Sequence, residues 1–233
     1  MKSLLLSLPI LFFTLTATAQ SFDTYLESGL EKIDNGDFDG AIADLTRAIA
    51  LEKNSAEAYY HRGSAKNFKD ELAGMEDFDK AIALNPKFAD AYNSRGAIKS
   101  SKNEEAAALK DYSKAIELDP TVGQYFINRA DTRNVLGDHK GAIADCTKAS
   151  QLEVENDMQG FVYSIRGEAK MALEDNKGAL ADFSKAITID AENPNFYILR
   201  GNAKDQLDDR KGACADWKKA LILGAEIDME GCE

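Results

Sequence analysis

The sequence predicts an all-α fold, a solenoid of short helix–turn–helix hairpins stacked one on the next. Three observations predict it. A motif recurs at a nearly constant interval, apolar residues within each unit fall at helical spacing, and small residues hold fixed places where two helices would meet. The unit is clearest in residues 89–122, ADAYNSRGAIKSSKNEEAAALKDYSKAIELDPTV, with Tyr92, Gly96, Ala108, Tyr112, Ala115 and Pro120 as its fixed points. The helical period runs on both sides of Asn103, which gives two amphipathic helices and a polar turn. Gly96 and Ala108 let the helices approach closely. Pro120 ends the second helix because it cannot continue the hydrogen-bond ladder. A hairpin this short cannot bury both faces alone and needs neighbours like itself.

Those neighbours are present. Arg95-Gly96 recurs as Arg62-Gly63, Arg129-Ala130, Arg166-Gly167 and Arg200-Gly201, with Ser28-Gly29 at the start. The small residue steps along the chain by 34, 33, 34, 37 and 34 residues. An aromatic residue precedes it each time: Tyr25, Tyr59, Tyr92, Phe126, Tyr163 and Tyr197. The second helix repeats as AIADLTRAI, MEDFDKAI, LKDYSKAI, AIADCTKAS, ALADFSKAI and ACADWKKAL. Regular Gly and Pro positions break any continuous heptad and argue against a coiled coil.

This period and pattern closely resemble the tetratricopeptide repeat family over about residues 21–223. Six copies fall at about 22–54, 55–88, 89–122, 123–156, 160–193 and 194–223. The resemblance implies a right-handed superhelical α-solenoid. Two positions depart from the family pattern. Arg, rather than a large apolar residue, precedes the small residue in five copies. Three residues after it, where the family often has an aromatic, stand Lys32, Lys66, Lys99, Arg133, Lys170 and Lys204. The step of 37 marks an insertion at residues 153–160, expected to lengthen a helix end or a loop, and the step of 33 predicts a shortened turn near Lys69-Asp70-Glu71. Residues 20–233 read as one quasi-one-dimensional domain in which each repeat touches its neighbours.

Residues 1–19 stand outside that fold. Lys2, the apolar run from Leu4 to Leu15 and the small-x-small end Ala17-Thr18-Ala19 read as a secretory signal peptide, cleaved between Ala19 and Gln20. The run is shorter than the ~20 residues that span a bilayer. The expected location is therefore secreted or periplasmic. A net charge of −12 argues against nucleic acid, whose phosphates need Lys and Arg, and against an anionic membrane surface.

Each second helix carries an Asp beside the helix–helix seam: Asp44, Asp77, Asp111, Asp145, Asp182 and Asp216. The Arg before each small residue lies beside the same seam. A charge there needs a partner, and the planar Arg fork suits a carboxylate. The expected pairs are Arg62 with Asp77, Arg95 with Asp111, Arg129 with Asp145, Arg166 with Asp182, and Arg200 with Asp216. Pairing with the Asp of the preceding repeat is the alternative, and the sequence leaves it open.

No catalytic constellation stands out. His61 and His139 are the only histidines, lie in different repeats and read as exposed polar residues. Metal, phosphate-loop, nucleophile-elbow and C-x-x-C patterns are missing, so no metal, cofactor or enzymatic activity is expected. Cys146 takes the slot held by Tyr112, Phe183 and Trp217 in other repeats and reads as a small buried hydrophobe. Cys214 and Cys232 are expected to form a disulfide in an oxidising compartment. Residues 224–232 can extend ~30 Å at about 3.3 Å per residue, while the helix from Cys214 to Leu223 spans only ~14 Å. Residues 224–233 thus read as a tail folding back on the last helix.

Tetratricopeptide arrays are adaptors whose first helices line a concave groove that holds partner segments. The resemblance implies the same here. One helical face of the first helices carries Asp23, Glu57, Tyr60, Asn67, Asp90, Asn93, Ile127, Asp131, Asn134, Phe161, Glu168, Met171, Asn202 and Asp205, with six carboxylates and no Lys or Arg. A cleft of one charge sign attracts the other. The expected partner is a protein or peptide that carries Lys or Arg beside apolar residues. Tyr60, Phe161 and Met171 would act as anchors, and the asparagines would hold its backbone. Capture of a C-terminal carboxylate by basic groove residues is not expected. The alternative function is a self-assembling or structural envelope component.

Overall fold

The computed structural model describes residues 21–152, 156–228 and 232. The signal-peptide reading falls outside these residues. Among them lie twelve helices: α1 (Phe22–Asp34), α2 (Phe38–Leu51), α3 (Ala56–Lys69), α4 (Met75–Leu84), α5 (Ala89–Ser101), α6 (Glu105–Leu118), α7 (Gly123–Val135), α8 (His139–Ala149), α9 (Asn156–Ala172), α10 (Asn176–Ile189), α11 (Pro194–Asp205) and α12 (Arg210–Ile222). They pair as six antiparallel hairpins. Asp37, Asp138, Asp175 and Asp209 cap α2, α8, α10 and α12, each side chain accepting the N–H of the glycine three residues on. Such caps satisfy donors that the first turn leaves free.

Five of the six hairpins turn through one residue in the left-handed region: Gly36, Asn103, Gly137, Glu174 or Asp208. That residue ends the first helix and reverses the chain within three or four residues. The α3–α4 hairpin has no such residue. Its connection runs over residues 70–74, and α4 has only 10 residues. The expectation of a shortened turn near Lys69 is therefore corrected. The missing residue shortens the second helix, and the turn is the longest of the six. The insertion before Gly160 extends the first helix of the fifth hairpin, so α9 has 17 residues where α7 has 13.

Each helix packs on the one before and the one after it. The odd-numbered helices also touch one another at α1–α3, α5–α7, α7–α9 and α9–α11, while α3 and α5 stand further apart. The even-numbered helices make no comparable contact, so the odd helices share the inner face. The core is a file of alanines with a larger side chain from the second helix at each of the first five seams, Leu45, Phe78, Tyr112, Cys146 and Phe183. Each large side chain lies under the small residue of the first helix. A Cβ on Gly167 would stand 2.5 Å from Cε1 of Phe183, so the seam closes only because that position has no side chain.

Candidate partner-binding groove

The seam charges come first, because they decide which groups remain for a partner. Arg62 donates through Nε and Nη2 to Asp77 at 2.9 and 2.6 Å. Arg95 grips Asp111 at 2.8 and 2.7 Å, and Arg129 grips Asp145 at the same distances. Arg166 meets Asp182 at 2.9 and 2.7 Å, and Arg200 meets Asp216 at 2.8 and 2.6 Å. Every fork is two-pronged and lies within its own hairpin. The third nitrogen reaches back to the preceding second helix, where Arg62 meets Thr46, Arg95 meets Asp79, Arg129 meets Ser113 and Arg166 meets Thr147. The same Arg therefore closes one hairpin and links it to the one before.

A second cation completes each cluster. Lys66, Lys99, Arg133, Lys170 and Lys204 lie one turn beyond the Arg and reach the same Asp within 2.6–2.8 Å. The aromatic residue one turn before the Arg lies under its guanidinium, from Tyr59 under Arg62 to Tyr197 under Arg200. The first hairpin has Ser28 in place of Arg, and Asp44 is held by Ser28, Lys32 and Arg47. Burial alone would raise the pKa of Asp44, Asp77 and Asp182. The basic side chains bonded to each of them, with Ser28 at Asp44, outweigh burial and hold all three below the usual carboxylate range. These buried, saturated clusters hold the array together and leave the inner face to bind.

On that face α7, α9 and α11 enclose a cleft of about 530 Å³. Ile127 and Phe196 are buried in its floor. Phe161 is exposed and meets Phe196 edge-on at 5.7 Å. Asp131 and Glu168 line the same cleft, and its lining holds no Lys or Arg. Partial desolvation by the groove walls raises both carboxyl pKa values. Glu105 adds to the effect at Asp131, and Asp131 adds to it at Glu168. Neither forms an ion pair among the described residues.

A second cleft of about 400 Å³ opens where α3 and α5 stand apart, lined by Tyr60, His61, Ser64, Asn67, Phe68 and Asn93 among others. Tyr60 packs on Phe88 there, at 4.8 Å. The side-chain amide oxygen of Asn67, Oδ1, is buried with no hydrogen-bond partner. Between the two clefts α7 ties the wall together. Gln124 donates to Asn128, Asn128 donates to Asn93 at 2.9 Å, and the Tyr125 hydroxyl donates to Asp90. Glu57 stands 3.9 Å from His61.

Besides Asp90 and Asn93, four more expected groove contacts are engaged internally. Asn134 donates to the backbone carbonyl of Ile165 at 3.0 Å. Asn202 accepts from the Trp217 indole at 3.2 Å. Met171 packs on the cluster of Ala179, Phe183 and Ala203. Asp205 pairs with Arg210 at 2.9 Å. Asn134 and Met171 lie in the last turns of α7 and α9, where the first-helix face turns from the groove into the next packing seam, whereas Asn202 is held by Trp217 of its own hairpin. The histidines are half-buried rather than exposed. His61 has a pKa lowered by burial, and His139 meets Asn134.

Cys214 and Cys232 form a disulfide with Cα atoms 5.4 Å apart. Cys146 is free and buried, and burial pushes its thiol pKa up to about 12, which removes the reactive thiolate at neutral pH. Among the described residues no cluster of His, Cys, Asp or Glu is placed to hold a metal ion. No described helix is long and apolar enough to cross a membrane.

A stack of helical hairpins with an inner face of open clefts defines a solenoid of the protein-interaction class. The chain carries tetratricopeptide repeats: family models described as "TPR repeat" and "Tetratricopeptide repeat" match residues 29–66 and 89–122. Among solved structures it resembles a chain of the APC/C hetero-tetramer Cut9–Hcn1, with TM-score 0.77 and 11% identity over 90% of this chain, and it spans 41% of that chain's length. It also resembles pilF of Pseudomonas aeruginosa, with TM-score 0.73 and 19% identity over 88% of this chain and 93% of the other. A third match is YrrB, described as a TPR protein with an unusual peptide-binding site, with TM-score 0.64 and 22% identity over 77% and 92%. No curated protein matches the sequence. The fold is typically a non-catalytic scaffold for proteins or peptides.

Proposed function

We propose that this chain is an exported, non-enzymatic scaffold that binds a basic, partly apolar protein segment in the concave groove of its last three repeats. The observation that carries this is the α7–α9–α11 cleft, where Asp131 and Glu168 stand over an aromatic and aliphatic floor with no cation in the lining. A Lys or Arg beside an Ile, Leu or Phe complements it in both charge and apolarity. The resemblance to YrrB supports peptide binding as the use of such a surface. The signal-peptide pattern at residues 1–19 supports export.

The test is fluorescence anisotropy with two labelled peptides of equal length, one alternating Lys with Leu and one alternating Glu with Leu. The Lys peptide is expected to bind, and its affinity should fall with salt as exposed charges are screened beyond ~8–10 Å. Asp131→Lys with Glu168→Lys should weaken it by about tenfold or more, equivalent to ~1.4 kcal/mol. Equal binding of the Glu peptide, or indifference to the double substitution, overturns the reading.

A further inference from the structure

The last helix has a solvent face unlike that of its counterparts. In α12 the residues Lys211, Ala215, Lys218 and Ile222 fall one turn apart on a single stripe, and all four are exposed. The corresponding stripe of α10 reads Lys177, Ala181, Ser184 and Thr188, and that of α8 begins Lys140, Ala144 and Thr147 before passing to Gln151. The first two places are unchanged. The last two change from hydroxyl or amide to Lys and Ile. Ile222 is 78% exposed, more than any other large apolar residue of the described chain. Lys211 and Lys218 form no ion pair among the described residues.

The third place on the stripe has a role inside the array. Thr46, Asp79, Ser113 and Thr147 occupy it in four earlier second helices, and each accepts the Arg of the following repeat. In α10 the same place is Ser184, which donates to the Leu180 carbonyl, and α11 still packs on α10. In α12 the place is Lys218, a cation with no acceptor to offer. A helix face that met only water would be polar. Here it pairs two cations with an exposed isoleucine, the chemistry that the Asp131–Glu168–Phe161 cleft selects.

We propose that a second copy of this chain is a partner of the groove, presenting the Lys211–Lys218–Ile222 stripe of α12 to the α7–α9–α11 cleft. The inference rests on the groove reading given above. Lysines meet Asp131 and Glu168, Ile222 meets the exposed ring of Phe161, and Ala215 leaves room for the helix to lie close. This is a helix-in-groove contact. Donor helix and cleft belong to different surfaces of each copy, so an exchange closes as a dimer if it is reciprocal and otherwise grows head to tail.

Sedimentation equilibrium of the chain from residue 21 onward tests this, at low and high salt and over a wide concentration range. The wild type should associate with concentration, with at least tenfold weaker association at high salt. Lys211→Glu with Lys218→Glu should abolish association, as should Asp131→Lys with Glu168→Lys. An equimolar mixture of those two variants should associate again, because the charges are complementary once more. Restoration also shows that both variants are folded. A wild type that stays monomeric, or association that both variants leave unchanged, overturns the proposal. The Lys-rich peptide separates the two readings. Peptide binding by a monomeric wild type removes the self-partner and leaves the groove reading standing, whereas loss of peptide binding removes the groove reading itself.

Discussion

Asp145 is buried between two cations, and the cost of losing one depends on what the other retains. Arg129→Ala removes two charge-assisted hydrogen bonds but leaves Arg133 on Asp145, so the expected loss is about 1.5–3 kcal/mol. Removing Arg133 as well leaves the carboxylate without a cation, and the loss should reach about 3–5 kcal/mol. Urea unfolding of the single and double variants measures both, and unchanged midpoints would show that the clusters contribute nothing. The pH dependence has a definite sign. Asp44, Asp77 and Asp182 are held low by their partners, so the unfolded chain binds protons more readily than the folded one. Their stabilisation is complete above the ordinary carboxylate pKa of about 4 and is lost as pH falls through the lower folded values. Asp131 and Glu168 are shifted the other way and gain stability as pH falls, which opposes the first effect. The seam carboxylates are buried and bonded to two cations each, whereas Asp131 and Glu168 are exposed and more strongly screened, so the melting temperature should fall on acidification below about pH 4, and Asp77→Asn should flatten that fall. The Arg–Asp pairs were readable because both residues recur at fixed offsets beside the seam. The second cation was also visible, one turn after each Arg, but it read only as a departure from the family pattern. Recognising it required asking which face of the helix it shares with the Arg.

At the scale of the element, close packing and the chain's end set the stability. The α9–α10 seam admits no side chain at position 167, because Phe183 fills that space. Gly167→Ala is expected to gain helix propensity and still destabilise by about 1–3 kcal/mol through overpacking, as read from thermal unfolding. A more stable variant would mean that Phe183 can move aside. No further helix packs on the outer side of α12 among the described residues, and the Cys214–Cys232 bridge ties the tail to it across 18 residues of sequence. Cys232→Ser should cost about 3 kcal/mol for a loop of this size, concentrated in α12, so amide exchange should quicken there and not in α6. Uniform quickening would show that the bridge acts on the whole array. Both features were legible: small residues marked the seams, and two cysteines near one terminus marked the bridge. The α3–α4 connection was not. A count of residues between motifs reports that one is missing, but not whether the helix or the turn gives it up. The absence of a left-handed turn residue at that hairpin is a backbone property that the spacing does not encode. Asn134 and Met171 turn inward for a related reason. A face drawn by helical period alone assigns the ends of each helix to the groove, where the structure turns them into the next contact.

For the whole molecule, a chain in which each repeat holds only its neighbours is as firm as its weakest junction. Two observations place that junction between the second and third hairpins. Helix α4 is the shortest of the twelve, and α3 and α5 stand apart on the inner face while the other adjacent first helices touch. The cleft with the unpaired Asn67 amide oxygen opens at the same place. The link across that junction is not missing, since Arg95 bonds both Asp111 and Asp79, but the packing beside it is thin. A cap at the start of α4 cannot be added simply, because a Cβ on Gly74 would stand 2.5 Å from the carbonyl oxygen of Gly63. The array should therefore open in two parts: α1–α4 first, and α5–α12 later, with the disulfide holding the far end. Local opening of this kind appears as exchange of amides at free energies below that of global unfolding. Native-state hydrogen exchange is expected to show the amides of α4 less protected than those of α6 or α10. Arg95→Ala should widen that gap by loosening the charged link across the junction. Protection that falls smoothly from the middle of the array to both ends, with α4 no weaker than α2, would place the junction elsewhere.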